Sequence, residues 1–114
     1  MDIESLHNTF QAFEDLFTEV SVKDFTTRDE KSVFLGCKNV RNMVEAAIDA
    51  LSVSSTPSKR DKDKASGILA GAIKLTTALL GQIKDLPKVS KKVGLLQHAL
   101  GTALKHQSDL LKTL

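Results

Sequence analysis

The sequence predicts an all-α protein, an antiparallel (up-down-up-down) four-helix bundle, and three observations carry that expectation. Apolar side chains recur three and four residues apart in four separate segments, which gathers each set on one face of an α-helix. None of the segments shows the strict alternation of a half-buried strand. The two prolines, Pro57 and Pro87, fall at segment boundaries. One-sided helices bury their stripes against one another, and short connections set successive helices antiparallel. At 114 residues the chain is long enough to enclose such a core as a single domain without disulfides or a metal.

The first helix is expected over about 2–20, with Asp2 as its N-cap and Leu6, Phe10, Phe13, Phe17 and Val20 as its stripe. A connection over 21–26 follows, anchored by Phe25. Thr27-Arg28-Asp29-Glu30 has the form of a capping box, in which Thr27 accepts from the Glu30 amide while Glu30 reaches back. It opens a second helix over 28–51, with Val33, Cys37, Val40, Val44, Ala47 and Leu51 inward and Leu35 pointing away. Residues 52–58 are a linker by composition, and Pro57 excludes a helix through them. The third helix is expected over 59–86, entered through the charged run Lys59 to Lys64, with Ile68, Ala72, Leu75, Leu79, Ile83 and Leu86 on its stripe. Asp85 is the expected cap of a fourth helix over 87–114, and Pro87 suits its first turn. Val89, Val93, Leu96, Leu100, Ala103 or Leu104, Gln107, Leu111 and Leu114 form its stripe, with Gln107 as a buried polar residue that fixes register. The apolar end at Leu114 is expected of a chain cut from a longer one.

All five Phe lie in the first third of the chain, and there is no Trp or Tyr. The first two helices therefore supply the bulk of the core, and the last two its aliphatic and small complements. The net charge of +2 conceals a polarity. Residues 1–51 hold ten acidic against five basic side chains, a balance of −5, and residues 52–114 hold four against eleven, a balance of +7. An antiparallel bundle sets the end of helix 1 beside the start of helix 4. Glu14, Asp15 and Glu19 are thus expected to face Lys88, Lys91 and Lys92, each cluster offsetting the unfavourable helix dipole of the other. The competing reading makes the three lysines a basic patch for a partner.

The glycines are the sharpest anomaly. Gly67, Gly71, Gly81, Gly94 and Gly101 fall inside helical patterns, where each costs about 1 kcal/mol relative to Ala. Projected at 100° per residue, helix 3 gathers Ile68, Leu69, Ala72, Ile73, Thr76, Leu79, Leu80 and Ile83 on one arc. Gly67, Ala70, Gly71, Lys74, Ala78 and Gly81 lie opposite, a smooth face on which a second backbone can approach closely.

No catalytic signature stands beside it. The single Cys37 sits mid-stripe as a buried, inert thiol. His7, His98 and His106 include no pair at ligand spacing, and Gly67-x-x-x-Gly71 lacks the Lys-Ser/Thr of a P-loop. The acidic start is unlike a signal peptide, and no uncharged apolar run approaches membrane-spanning length, the run 65–73 ending at Lys74, which argues against a membrane span. The expectation is a non-catalytic, cofactor-free intracellular module, cytoplasmic and soluble. It binds a protein partner or a second copy of itself through Gly67, Ala70, Gly71, Lys74, Ala78 and Gly81. The alternative is a binder of lipid or another apolar ligand, or a membrane-active bundle using helix 3. A basic nucleic-acid adaptor ranks below both.

Overall fold

Hydrogen-bonded side-chain caps fix where the second, third and fourth helices begin. The computed structural model describes residues 3–114, and among them are four α-helices: α1 (Glu4–Glu19), α2 (Arg28–Leu51), α3 (Lys59–Lys84) and α4 (Lys91–Thr113). A single 3-10 turn, Val22–Asp24, lies between α1 and α2. The expected cap Asp2 lies outside the described residues. The capping box of α2 is formed: Thr27 Oγ1 accepts from the Glu30 amide at 3.1 Å, and the Glu30 carboxylate accepts from the Thr27 amide at 3.1 Å. That amide, aided by the Thr27 hydroxyl and by Thr26, holds the Glu30 carboxyl below its ordinary range. Ser58 and Asp61 repeat the device at the start of α3, with both bonds at 3.2 Å.

The start of α4 departs from expectation. Ser90, not Asp85, is its cap, accepting from the Val93 amide at 3.2 Å. Asp85 instead closes α3, its amide bonded back to the Gly81 carbonyl. Pro87 therefore sits in the connection, and Val89 lies outside the helix, 45 % exposed. The same face of α4 that buries Ala103 and Gln107 buries Leu110 rather than Leu111, and the helix stops at Thr113.

Around the bundle, α2 packs on α1 and α3, and α4 closes the ring by packing on both α3 and α1. The α2–α3 side is thus opposite the α1–α4 side. Antiparallel pairing is evident where Lys92, at the start of α4, reaches the Glu19 carbonyl at the end of α1 (3.1 Å). The core draws on every helix, from Leu6 and Phe13 through Val33, Val40 and Val44 to Leu69, Ile83, Leu96 and Leu100, all fully buried. Four of the five Phe form one cluster. Phe13 stacks on Phe17, which meets Phe34 edge-on at 5.6 Å, and Phe34 in turn meets Phe25 at 5.3 Å. Lys38 and Arg41 lie over the outer side of Phe17, at 5.7 and 5.3 Å, an arrangement worth about 0.5–1 kcal/mol at exposed sites.

Among the described residues three polar side chains are buried: Thr9, Thr76 and Gln107. Thr9 Oγ1 lies 2.9 Å from the Ser5 carbonyl and 2.8 Å from His106 Nδ1, which ties α1 to α4. The Thr76 hydroxyl donates to the Ala72 carbonyl at 2.7 Å and leaves a long 3.4 Å approach to Gln107 Oε1, while Gln107 Nε2 has no partner. Sliding α4 past α3 would take the Thr76 hydroxyl away from Gln107 Oε1 and leave that end of the amide without it, so the pair favours one register.

The expected charge pairing is corrected. Glu14 pairs with Arg41 of α2 at 3.2 Å, and Asp15 accepts from Gln11 of its own helix at 2.9 Å. Among the described residues no ion pair joins Glu14, Asp15 or Glu19 to Lys88, Lys91 or Lys92. The rotation of α1 decides this: Glu14 falls on its α2 flank, and Lys92 meets a backbone carbonyl rather than a carboxylate.

Candidate functional site

The small face of α3 is largely where the spacing places it. Gly67, Ala70, Lys74, Ala78 and Gly81 are exposed, and a Cβ added at Gly67 or Gly81 would meet nothing within 4 Å. Gly71 departs from this. It is half-buried on the flank toward α2, where an added Cβ would lie 3.1 Å from the Met43 methyl. The free face is therefore narrower than the projection implies, and Gly71 belongs to the seam between α2 and α3.

That seam holds an open groove of about 700 Å³. Leu75 and Leu79 of α3 and Gly36 of α2 form its floor, Leu35 overhangs it at 54 % exposure, and Arg28 and Lys31 stand on its rim. Its lining has two cations and no carboxylate; Asp29 and Asp85 line a separate, smaller depression beyond Gln82. Gly36 shapes the floor, because a Cβ there would stand 2.5 Å from Leu79 Cδ2. Sequence reasoning missed Gly36, although a signal was present. It lies three residues after Val33 and four before Val40, squarely among the buried positions of α2.

On the opposite side, between α1 and α4, lies a cleft of about 320 Å³. Ala12, Leu16, Leu95 and Ala99 line it, with Asp15 and Glu19 on one wall and His98 and Thr102 on the other. The basic trio does not converge on a patch. Lys92 is half-buried against the Glu19 carbonyl, Lys91 is exposed, and Lys88 lines a depression with Thr26, Thr27 and Glu30.

One expectation about α3 is revised. Although its uncharged runs are short, α3 is long enough, and one 18-residue window of it apolar enough, to cross a membrane by length and composition, with 28 % of that window buried. Lys74 is the sole charge between 65 and 83, so the whole stretch reads as apolar.

The chemistry available is limited. Burial pushes the Cys37 thiol up to about 12, so almost no thiolate exists at neutral pH. The thiol of the native protein is expected to resist iodoacetamide and to react only as fast as the bundle opens. Prompt modification of the folded state would show that Cys37 is reachable. Because its folded pKa lies above the unfolded value, the buried thiol stabilises the fold below about pH 9, and this contribution is lost as pH rises toward 12. Among the described residues no group of three or more His, Cys, Asp and Glu side chains is placed to hold a metal ion. No protein-family model, curated protein or solved structure shows significant similarity to the chain.

Proposed function

We propose that the chain is a non-catalytic protein–protein interaction module that docks a partner helix along the outer face of α3 and its seam with α2. One observation carries the reading. An apolar groove open to solvent, overhung by a Leu35 that is more than half exposed, adjoins a helix face of Gly and Ala with empty space above it. Packed helices ordinarily lie 8–10 Å apart depending on the side chains between them. A wall made of Gly67, Ala70, Ala78 and Gly81 permits the near end of that range. Leu35 and Leu75 then anchor the partner, and Lys74 fixes its orientation as the lone charge on the wall.

The test places a photoreactive amino acid at Ala78 and, as a control, at exposed Gln97 on α4. Cross-linked products are identified by mass spectrometry. The reading expects one defined product from position 78, at least tenfold weaker from position 97, and lost on Leu35→Glu. Helical circular dichroism should be unchanged, since exposed substitutions stay within about 0.5 kcal/mol. Equal products from both positions, or none from position 78, would overturn it.

A second reading, a membrane-active bundle that lays α3 on lipid, is favoured by the length and apolarity of that helix. It is the weaker of the two. Interfacial helices insert bulky Trp, Phe or Leu, whereas α3 turns Gly, Ala and Thr outward. Flotation with anionic vesicles, abolished by Ala78→Glu, would reverse this order.

A further inference from the structure

We infer that the occupant of the α2–α3 groove is a second copy of this chain, seated through its α1–α4 face, so that molecules stack head to tail. This rests on the docking reading above and names its partner. The two faces are complementary in charge. Arg28 and Lys31 rim the groove with no carboxylate in its lining, and Asp15 and Glu19 rim the cleft with no lysine or arginine in its lining. Lys92, at the start of α4, is tethered to the Glu19 carbonyl. The faces are also complementary in shape. Leu35 projects at 54 % exposure beside the groove, and the cleft offers an apolar recess of about 320 Å³ bounded by Ala12 and Leu95.

Topology sets the two faces in position. They lie on opposite sides of the bundle, α2–α3 against α1–α4. They also lie toward the same end of its long axis. The first half of α2 and the last half of α3 line the groove, while the last half of α1 and the first half of α4 line the cleft. One molecule therefore meets the next with little slide along the axis. A symmetric dimer through the groove would instead set Arg28 and Lys31 against their own copies, and like charges so placed disfavour it. A contact between two different faces closes into a ring only if the rotation between neighbours allows it, and faces on opposite sides of the bundle favour an open stack instead.

Sedimentation velocity over a concentration series up to ~1 mM tests the inference on the intact chain. The wild type is expected to sediment faster as concentration rises. The effect should fade in high salt, because rim charges are screened over about 10 Å at 0.1 M. Leu35→Glu blocks the groove face and Ala12→Arg fills the cleft face; both positions are exposed, and circular dichroism confirms that each variant folds. Each alone is expected to remain monomeric. Mixed, they should form a one-to-one dimer, since each retains the face that the other lacks. Lys31→Glu and Asp15→Lys should each weaken assembly about tenfold, and the double variant should recover most of the loss.

A wild type that stays monomeric throughout overturns the inference and leaves docking of another protein at the groove to be judged by the position-78 cross-link. A dimer that Leu35→Glu abolishes but Ala12→Arg spares overturns it in favour of a symmetric contact through the groove. Assembly indifferent to both variants also overturns it, because the contact then lies on another face, and the docking reading is again judged by the position-78 cross-link.

Discussion

Replacing Phe13 with Ala is expected to cost the bundle about 3–5 kcal/mol, the range for removing a buried aromatic ring and leaving its cavity. Small domains hold only about 5–15 kcal/mol in all, so this single change removes much of the margin. Phe13 is fully buried and belongs to α1, the shortest of the four helices at 16 residues. It is also the inner end of the aromatic chain that runs through Phe17 and Phe34 to Phe25. The surrounding side chains cannot close over the space, because Phe17 is held in place by Phe34 beneath and by Lys38 and Arg41 above. Urea denaturation of wild type and Phe13→Ala, compared with Val44→Ala, measures the effect. Val44 is as deeply buried but loses only two methyl groups, so its cost should be smaller. A Phe13→Ala loss under about 1 kcal/mol would mean that α1 does not pack on the bundle as described.

What the sequence made legible follows from how local each signal is. The bounds of α2 were readable because Thr27 and Glu30 form a box within four residues and the linker after Leu51 cannot continue a helix. The start of α4 was not, because two start signals compete within six residues. Asp85-Leu86-Pro87 and Ser90 to Val93 both fit local rules. The choice between them turns on whether Val89 reaches the core, and it does not. Buried Gln107 and exposed Leu35 were readable from helical projection alone. The pairing of Glu14 with Arg41, the tethering of Lys92, and the position of Gly71 beside Met43 were not. Each depends on the rotation of one helix against its neighbour, which spacing within a single helix leaves open. The groove is of the same kind. Arg28, Leu35, Leu75 and Leu79 acquire a common meaning only once α2 and α3 lie side by side.

The glycines of this bundle are expected to divide sharply when filled. Gly67→Ala and Gly81→Ala should each stabilise the fold by about 0.5–1 kcal/mol, because Ala is the better helix former and the added Cβ meets open space at both. Gly36→Val should do the opposite. Its Cβ would lie 2.5 and 2.8 Å from the two methyl carbons of Leu79 and 3.2 Å from Leu79 Cγ. Leu79 is only 3 % exposed, and to turn aside it would have to swing out into the open groove and give up its burial. Overpacking of this kind costs about 1–3 kcal/mol, and a β-branched residue recovers little of the propensity lost at glycine. Val therefore separates the two effects better than Ala, whose gain in propensity would mask part of the clash. Thermal or urea unfolding of the three variants gives the signs directly. The cause is checked in a Leu79→Ala background. Removing the opposing methyl groups should relieve most of the penalty of Gly36→Val, a coupling well outside the ~0.3–0.5 kcal/mol by which independent sites fail to add. Equal costs in both backgrounds would show that Leu79 is not what Gly36 makes room for. The same pair forms the floor of the α2–α3 groove. A Val at position 36 should thus shallow the groove as it weakens the fold, whereas Ala at Gly67 or Gly81 leaves the floor intact.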